Sequence, residues 1–183
     1  PHTVQVNGAS GQPEKVFAKN IIIATGSRPV IPSIKGIDEV PYHTNETIFN
    51  LQEIPTSLAI IGGGQIGCEF AQAFRRLGSS VTIIEQQDYL VSSVEPEVTR
   101  AIQSVLVKEG VEIYLGNKVE RVRVDGERLL LRVRRKSDDK EYDLFVHKLL
   151  VAGTRKPLVD KLNLDAARVQ YTEAGINHDA YGR

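Results

Sequence analysis

An α/β fold in three layers, a parallel sheet with an antiparallel β-meander, is the class this sequence predicts. Three observations lead there. Short apolar runs alternate with amphipathic helical stretches between residues 58 and 115. A glycine closes each helical stretch, at Gly78 and Gly110. A set of strand-like segments joined by turn residues then interrupts the rhythm, before a last apolar run at 149–152.

The elements follow in order. Thr3–Val6 alternates in strand fashion, turns at Asn7-Gly8 through a loop longer than two residues, and resumes at Lys15–Lys19, a hairpin signal. The apolar run Ile21–Ala24 comes next. Residues 29–57 hold Pro29, Pro32, Pro41 and Pro55, four of the eight prolines. Proline removes a ladder donor and breaks helix interiors, so this stretch reads as a crossover with at most a short helix over 44–50.

Leu58–Ile61 has the continuous apolar character of a strand buried on both faces. Gln65–Leu77 carries Ile66, Phe70, Ala73, Phe74 and Leu77 on one helical stripe. Val81–Ile84 is the next buried strand, Glu97–Glu109 the next helix and Val111–Leu115 the third strand. Val119–Val124, Arg128–Arg134 and Tyr142–Val146 form the meander, split at Asp125-Gly126 and at 136–139. Leu149–Ala152 returns to a buried parallel strand, and residues 153–183 are loop-rich.

Composition narrows the function classes. The chain is 41% hydrophobic, and its 23 Lys+Arg balance 23 Asp+Glu. That balance disfavours a phosphate-neutralising nucleic-acid surface. No apolar run approaches the roughly 20 residues that span a bilayer, and the polar start does not read as a signal peptide. Cys68 is the one cysteine. It excludes an internal disulfide framework, offers no zinc-ligand spacing and fits a cytoplasmic location. The chain starts at Pro1, contains no methionine and stops at Arg183 without a closing element; the expectation is a fragment of a larger protein.

The strongest motif is Ile60-Ile61-Gly62-Gly63-Gly64-Gln65-Ile66-Gly67, which fits G-x-G-x-x-G at Gly62, Gly64 and Gly67. In a chain with 15 glycines the pattern alone is weak. Its context is specific: a buried strand before it, an amphipathic helix after it, and Glu85 ending the following strand 18 residues beyond Gly67. In a Rossmann-like dinucleotide-binding unit Gly62 permits the tight turn, Gly64 lets the backbone approach a pyrophosphate, and Gly67 allows the helix to pack closely on the strand. The unpaired amides at the helix start, including those of Gln65 and Ile66, face the phosphates. Glu85 accepts bonds from the adenosine ribose hydroxyls. The residues after it are Gln86, Gln87 and Asp88, with no Lys or Arg before Arg100, which favours NADH over NADPH.

The run GGGQIGCEFAQAFRRLGSSVTIIE resembles the second dinucleotide fold of the flavoprotein (pyridine nucleotide) disulfide reductases, the family of dihydrolipoamide dehydrogenase, glutathione reductase and mercuric reductase. Ala24-Thr25-Gly26-Ser27-Arg28-Pro29 resembles the segment where the chain leaves the FAD domain. Glu69 matches the acidic residue beside the nicotinamide. Val151-Ala152-Gly153-Thr154-Arg155-Lys156-Pro157 resembles the segment that returns to FAD.

The resemblance implies an FAD-dependent oxidoreductase in which NADH passes hydride to the flavin and on to a disulfide or similar acceptor, in a homodimeric parent. NADH would lie on Gly62, Gly64, Gln65, Ile66, Gly67, Glu69 and Glu85, with Gly153 beside them. FAD would meet Gly26 and Arg155 in the presence of the rest of its domain. The implied division is 1–54 as partial FAD-domain segment and crossover, 55–153 as NAD-binding domain, and 154–183 as partial return segment.

The resemblance implies no catalytic residue in this stretch: the family's redox-active cysteine pair would precede Pro1, and its His-Glu pair would follow Arg183. The isolated fragment is expected to lack turnover, because hydride needs a flavin acceptor held close to the nicotinamide. Two positions depart from the family pattern: Gln65 stands where an aromatic lid residue is frequent, and Thr154 where glycine is usual. A flavoenzyme without a redox disulfide, of NADH oxidase or ferredoxin reductase type, and a non-catalytic dinucleotide sensor are the alternative readings. His2, His43, His147 and His178 lie far apart without ligand spacing, and no metal site is expected.

Overall fold

The computed structural model describes residues 2–8 and 11–182. The tip of the first hairpin, at 9–10, lies outside the described residues, as does Arg183 of the expected chain end. The chain forms two compact units, one from Pro1–Arg28 with Arg155–Arg183 and one from Pro29–Thr154.

In the first unit Thr3–Asn7 (β1) and Pro13–Phe17 (β2) pair antiparallel, with Asn7 opposite Pro13. The turn thus spans more than two residues, as expected. Ser27–Pro29 (β3) follows. The apolar stretch between β2 and β3 forms no regular element, and Ile22 is 89% exposed.

The second unit carries the architecture expected for its class. Its strands are Ser57–Ile61 (β4), Ser80–Glu85 (β5), Glu112–Leu115 (β6), Asn117–Asp125 (β7), Arg128–Arg135 (β8), Glu141–Val146 (β9) and Lys148–Val151 (β10). Gln65–Arg76 (α1) joins β4 to β5, and Pro96–Lys108 (α2) joins β5 to β6. The parallel sheet has the order β10-β4-β5-β6, and β7-β8-β9 is an antiparallel meander. Helix α2 opens on Pro96, whose missing N–H is no loss in the first turn.

Alternation along β4 shows the three layers. Ala59 packs with Ile84, Leu149, Val151 and the meander residues Val122, Leu131 and Val133. Its neighbours Leu58 and Ile60 face the other way, onto Ala71 and Phe74 of α1 and Leu106 of α2. The sheet is therefore covered by the meander on one side and by helices on the other. Full burial of each Ile, Leu or Val here contributes roughly 1.5–3 kcal/mol.

The proline-rich crossover is packed rather than loose. Ile34, Ile37 and Val40 enter the meander-side core and Ile48 the helix-side core. Ile37–Glu39 and Ile48–Asn50 each form a single 3-10 turn, so the short helix expected over 44–50 is reduced to its end. Lys35 bridges to Arg121 and His43 to Leu150, which ties the crossover to β7 and β10.

The first unit resumes with Arg155–Pro157 (β11), beside β3, then Tyr171–Thr172 (β12) and Gly175–Ile176 (β13), a two-stranded ladder. No helix among the described residues is long and apolar enough to cross a membrane.

Candidate functional site

The site grows from the carboxyl end of the parallel sheet. Register aligns Val151, Ile61 and Ile84 across β10, β4 and β5, and Glu85 with Leu115 across β5 and β6. From β4 the chain runs through β5 to β6 on one side, while β10 lies on the other. Such a reversal of strand order opens a crevice at the strand ends, where α/β sheets bind ligands. Here the crevice is a cleft of about 490 Å³, lined by Gly62–Gly64, Glu85–Gln87, Asn117–Val119 and Ala152–Thr154 among others.

Each glycine of the motif has a separate physical reason. Gly62 has φ 111°, and a Cβ there would stand 2.5 Å from the Ala152 carbonyl oxygen of the adjoining strand end. A Cβ on Gly67 would collide with the carbonyl oxygen of Gly62, so the first turn of α1 rests directly on the loop. At Gly64 a Cβ would meet nothing within 4 Å. That side of the backbone is open, as close approach of a ligand requires. Gly64 is also the N-cap of α1 and supplies no side-chain cap, which leaves the amides of the first turn for another acceptor.

Glu85 is bound into the loop. Its Oε2 accepts the Gly63 N–H at 2.6 Å and its Oε1 the Gln87 N–H at 2.7 Å. Each oxygen retains a second lone pair, so the carboxylate can still accept from a diol. Gly63, the unassigned middle position of the motif, owes its identity to this contact. A Cβ there would lie 2.6 Å from Leu90 Cδ2 and 3.0 Å from Glu85 Cβ. The Gly63 carbonyl is held from the protein side by the Val91 N–H at 2.8 Å and by the Cys68 thiol at 3.5 Å. Val91 adopts φ 44° to make its bond, a conformation unfavourable for a β-branched residue.

Of the expected cofactor residues, Gly62, Gly64, Glu85 and Gly153 line the cleft. Gln65, Ile66, Gly67 and Glu69 lie on the first turns of α1, and Gln65 Nε2 donates to Glu69 Oε1 at 2.9 Å on its exposed face. Gly26 and Arg155 belong to the other unit. There Arg155 donates from Nε to Ser27 Oγ at 2.8 Å and from Nη2 to the Ser27 carbonyl at 2.5 Å, and the Gly26 carbonyl accepts from the Leu158 N–H. Cys68 is buried. Burial first, then the Glu85 and Glu69 carboxylates, push its thiol up to about 11, so it stays neutral at pH 7 and is a poor nucleophile.

Three residues of the site escaped sequence reasoning. Leu90 and Val91 carry no motif and become legible only through the loop that they brace. Lys118 sits on β7, beyond the Gly116 turn, yet lines the cleft with Glu85. Its one advance signal was the strand order, which places β7 after the partner of Glu85.

Comparison with known proteins adds the lineage. The pattern described as "Pyridine nucleotide-disulphide oxidoreductase" matches residues 1–183. The mercuric reductase of Lysinibacillus sphaericus is 38% identical over 179 residues, 97% of this chain and 31% of that protein. The dihydrolipoyl dehydrogenase of Bacillus subtilis (strain 168) is 36% identical over 171 residues, 93% of this chain and 36% of that protein. Among solved structures, the Cu(II) complex of the HOCl-induced flavoprotein disulfide reductase RclA from Escherichia coli superposes with a TM-score of 0.83 at 30% identity. It covers 97% of this chain and 39% of that one. The chain thus spans about a third of the length of these relatives. On the match across its whole length, the chain belongs to the pyridine nucleotide-disulphide oxidoreductase family.

Proposed function

We propose that the cleft binds NADH as the nicotinamide-cofactor site of a longer FAD-dependent, homodimeric oxidoreductase, with residues 55–153 as its NAD-binding domain. The observation that carries the reading is the Glu85 carboxylate held 2.6 Å from the amide of the glycine loop. One short arc thereby offers acceptors for a ribose diol and, at Gly64 and the start of α1, donors for a pyrophosphate. A 2′-phosphate about 4 Å from Glu85 would meet repulsion on the order of 4 kcal/mol per charge pair at an effective dielectric near 20.

When bound, NADH supplies a hydride, and the chain's own residues hold and orient it. Glu85 fixes the adenosine ribose, the open backbone of Gly64 receives the pyrophosphate, and Glu69 orients the nicotinamide. The described residues do not make a flavin cradle. The guanidinium of Arg155 is engaged by Ser27, and Phe17 and Ile22 stand exposed as apolar surface. In this reading the remainder of the FAD domain covers them. With Cys68 as its single cysteine, the 183-residue chain cannot form an internal disulfide, and we infer no turnover from it alone.

The Glu85→Ala variant tests the assignment. It is expected to weaken NADH binding about ten-fold, as loss of charge-assisted hydrogen bonds implies, and to narrow the gap to NADPH. Unchanged affinities for both cofactors would remove Glu85 from the site.

A further inference from the structure

The cleft carries one acidic and one Lys or Arg side chain among its described lining residues, Glu85 and Lys118. They are far apart in the chain and line the same cleft. Glu85 stands opposite Leu115 across β5 and β6, and neighbouring strands lie about 4.8 Å apart. Gly116, with φ 64°, then turns the chain, and its N–H donates to the Gln87 carbonyl at 2.9 Å. Lys118 follows two residues later.

Its base is fixed, and its tip is held by one exposed ion pair. Asn117 is 6% exposed; its Nδ2 donates to the Leu115 carbonyl at 2.7 Å, and its Oδ1 accepts from the Tyr142 hydroxyl at 3.0 Å. The backbone from which Lys118 springs is therefore fixed against the meander. The ammonium pairs with Glu120 at 3.3 Å, and the two side chains are 57% and 32% exposed. An exposed pair of this kind holds its partners weakly, so a phosphate dianion in the cleft would compete for the ammonium.

With the cleft read as a cofactor site, the two charges act oppositely on a ribose 2′ substituent. A hydroxyl there suits the Glu85 carboxylate. A phosphate would be repelled by Glu85 and attracted by Lys118. We propose that Lys118 is a latent phosphate-binding cation of the cofactor site, so that Glu85 alone discriminates against NADPH. The inference rests on the reading of the cleft as an NADH site. Its consequence is that one substitution, Glu85→Ser, opens the site to NADPH without any cation being introduced.

The test is titration of NADH and NADPH against wild type, Glu85→Ser, Glu85→Ser with Lys118→Ala, and Glu85→Ser with Lys118→Arg. Glu85→Ser is expected to gain at least about ten-fold in NADPH affinity over wild type. Adding Lys118→Ala should remove about ten-fold of that affinity, the size of one charge-assisted contact, while NADH changes less than about two-fold. Lys118→Arg should keep NADPH binding. Equal NADPH affinity with and without Lys118 would overturn the inference, as would an equal loss for both cofactors, which marks a structural role. A wild-type chain that binds no NADH would instead overturn the cofactor reading itself.

Discussion

Replacing Gly67 with alanine is expected to lower the stability of the second unit by about 3 kcal/mol and to abolish measurable NADH binding. The added Cβ collides with the Gly62 carbonyl oxygen, a backbone atom that no rotamer change can move aside. Relief requires the first turn of α1 to lift from the loop. The contacts that lift disturbs are those of Cys68, Ala71 and Phe74 with Ile60 and Ile83. Overpacking of a filled core costs roughly 1–3 kcal/mol, and the rigid partner puts this substitution at the upper end. In a unit of this size that corresponds to a fall in Tm of roughly 10 °C. Displacement of the helix start also removes the first-turn amides from the proposed pyrophosphate position. A thermal melt with a parallel NADH titration reads both effects. An unchanged Tm would mean that helix and loop do not rest on each other as described.

The second large effect is confined to stability. Leu131 on β8 is completely buried between the meander and the sheet, among Val122, Val133, Val146 and Leu149. Leu131→Ala leaves a cavity walled by two sheets that cannot both collapse, and such deletions cost about 2–5 kcal/mol. Leu131 does not line the cleft, so NADH affinity of the folded variant should stay within about two-fold of wild type. The two variants thus separate the roles of the layers. Gly67→Ala changes fold and site together, whereas Leu131→Ala loosens the fold and spares the site. Guanidinium unfolding monitored by far-UV circular dichroism supplies the free energies. A loss under 1 kcal/mol for Leu131→Ala would argue that the meander is not packed on the sheet as a third layer.

Where the chain obeys one strong period, the fold was legible. The apolar runs at β4, β5 and β10 and the helical stripe of α1 appear within a residue or two of their expected bounds, because burial on two faces or on one stripe leaves a repeating mark. The meander was equally readable from its Asp125-Gly126 turn and its alternating strands. Ile21–Ala24 shows the limit of that logic. Its apolar run has the composition of a buried strand, yet these residues are irregular and partly or largely exposed. Hydrophobic pattern records the surface a segment needs, and partners must be present to supply it.

Within the site, legibility followed chain distance. Gly62, Gly64, Gly67 and Glu85 sit on consecutive elements and could be matched to tasks one by one. Lys118 could not, since counting cations forward from Glu85 reached Arg100 first. The chain returns to Glu85 only after α2 and β6 have passed. Leu90 and Val91 were hidden for a different reason. Their contribution is backbone and packing support of Gly63, a carbonyl bond and a methyl contact, and no residue type announces that.

The central claim is that the cleft at the carboxyl end of the parallel sheet is an NADH site. Calorimetric titration of the purified 183-residue chain with NADH, then NADPH in the same buffer, measures it most directly. Saturable one-to-one binding of NADH, with NADPH at least about ten-fold weaker as repulsion at Glu85 requires, is the result predicted. Tighter binding of NADPH than NADH, or no heat from either cofactor with a correctly folded chain, would contradict it.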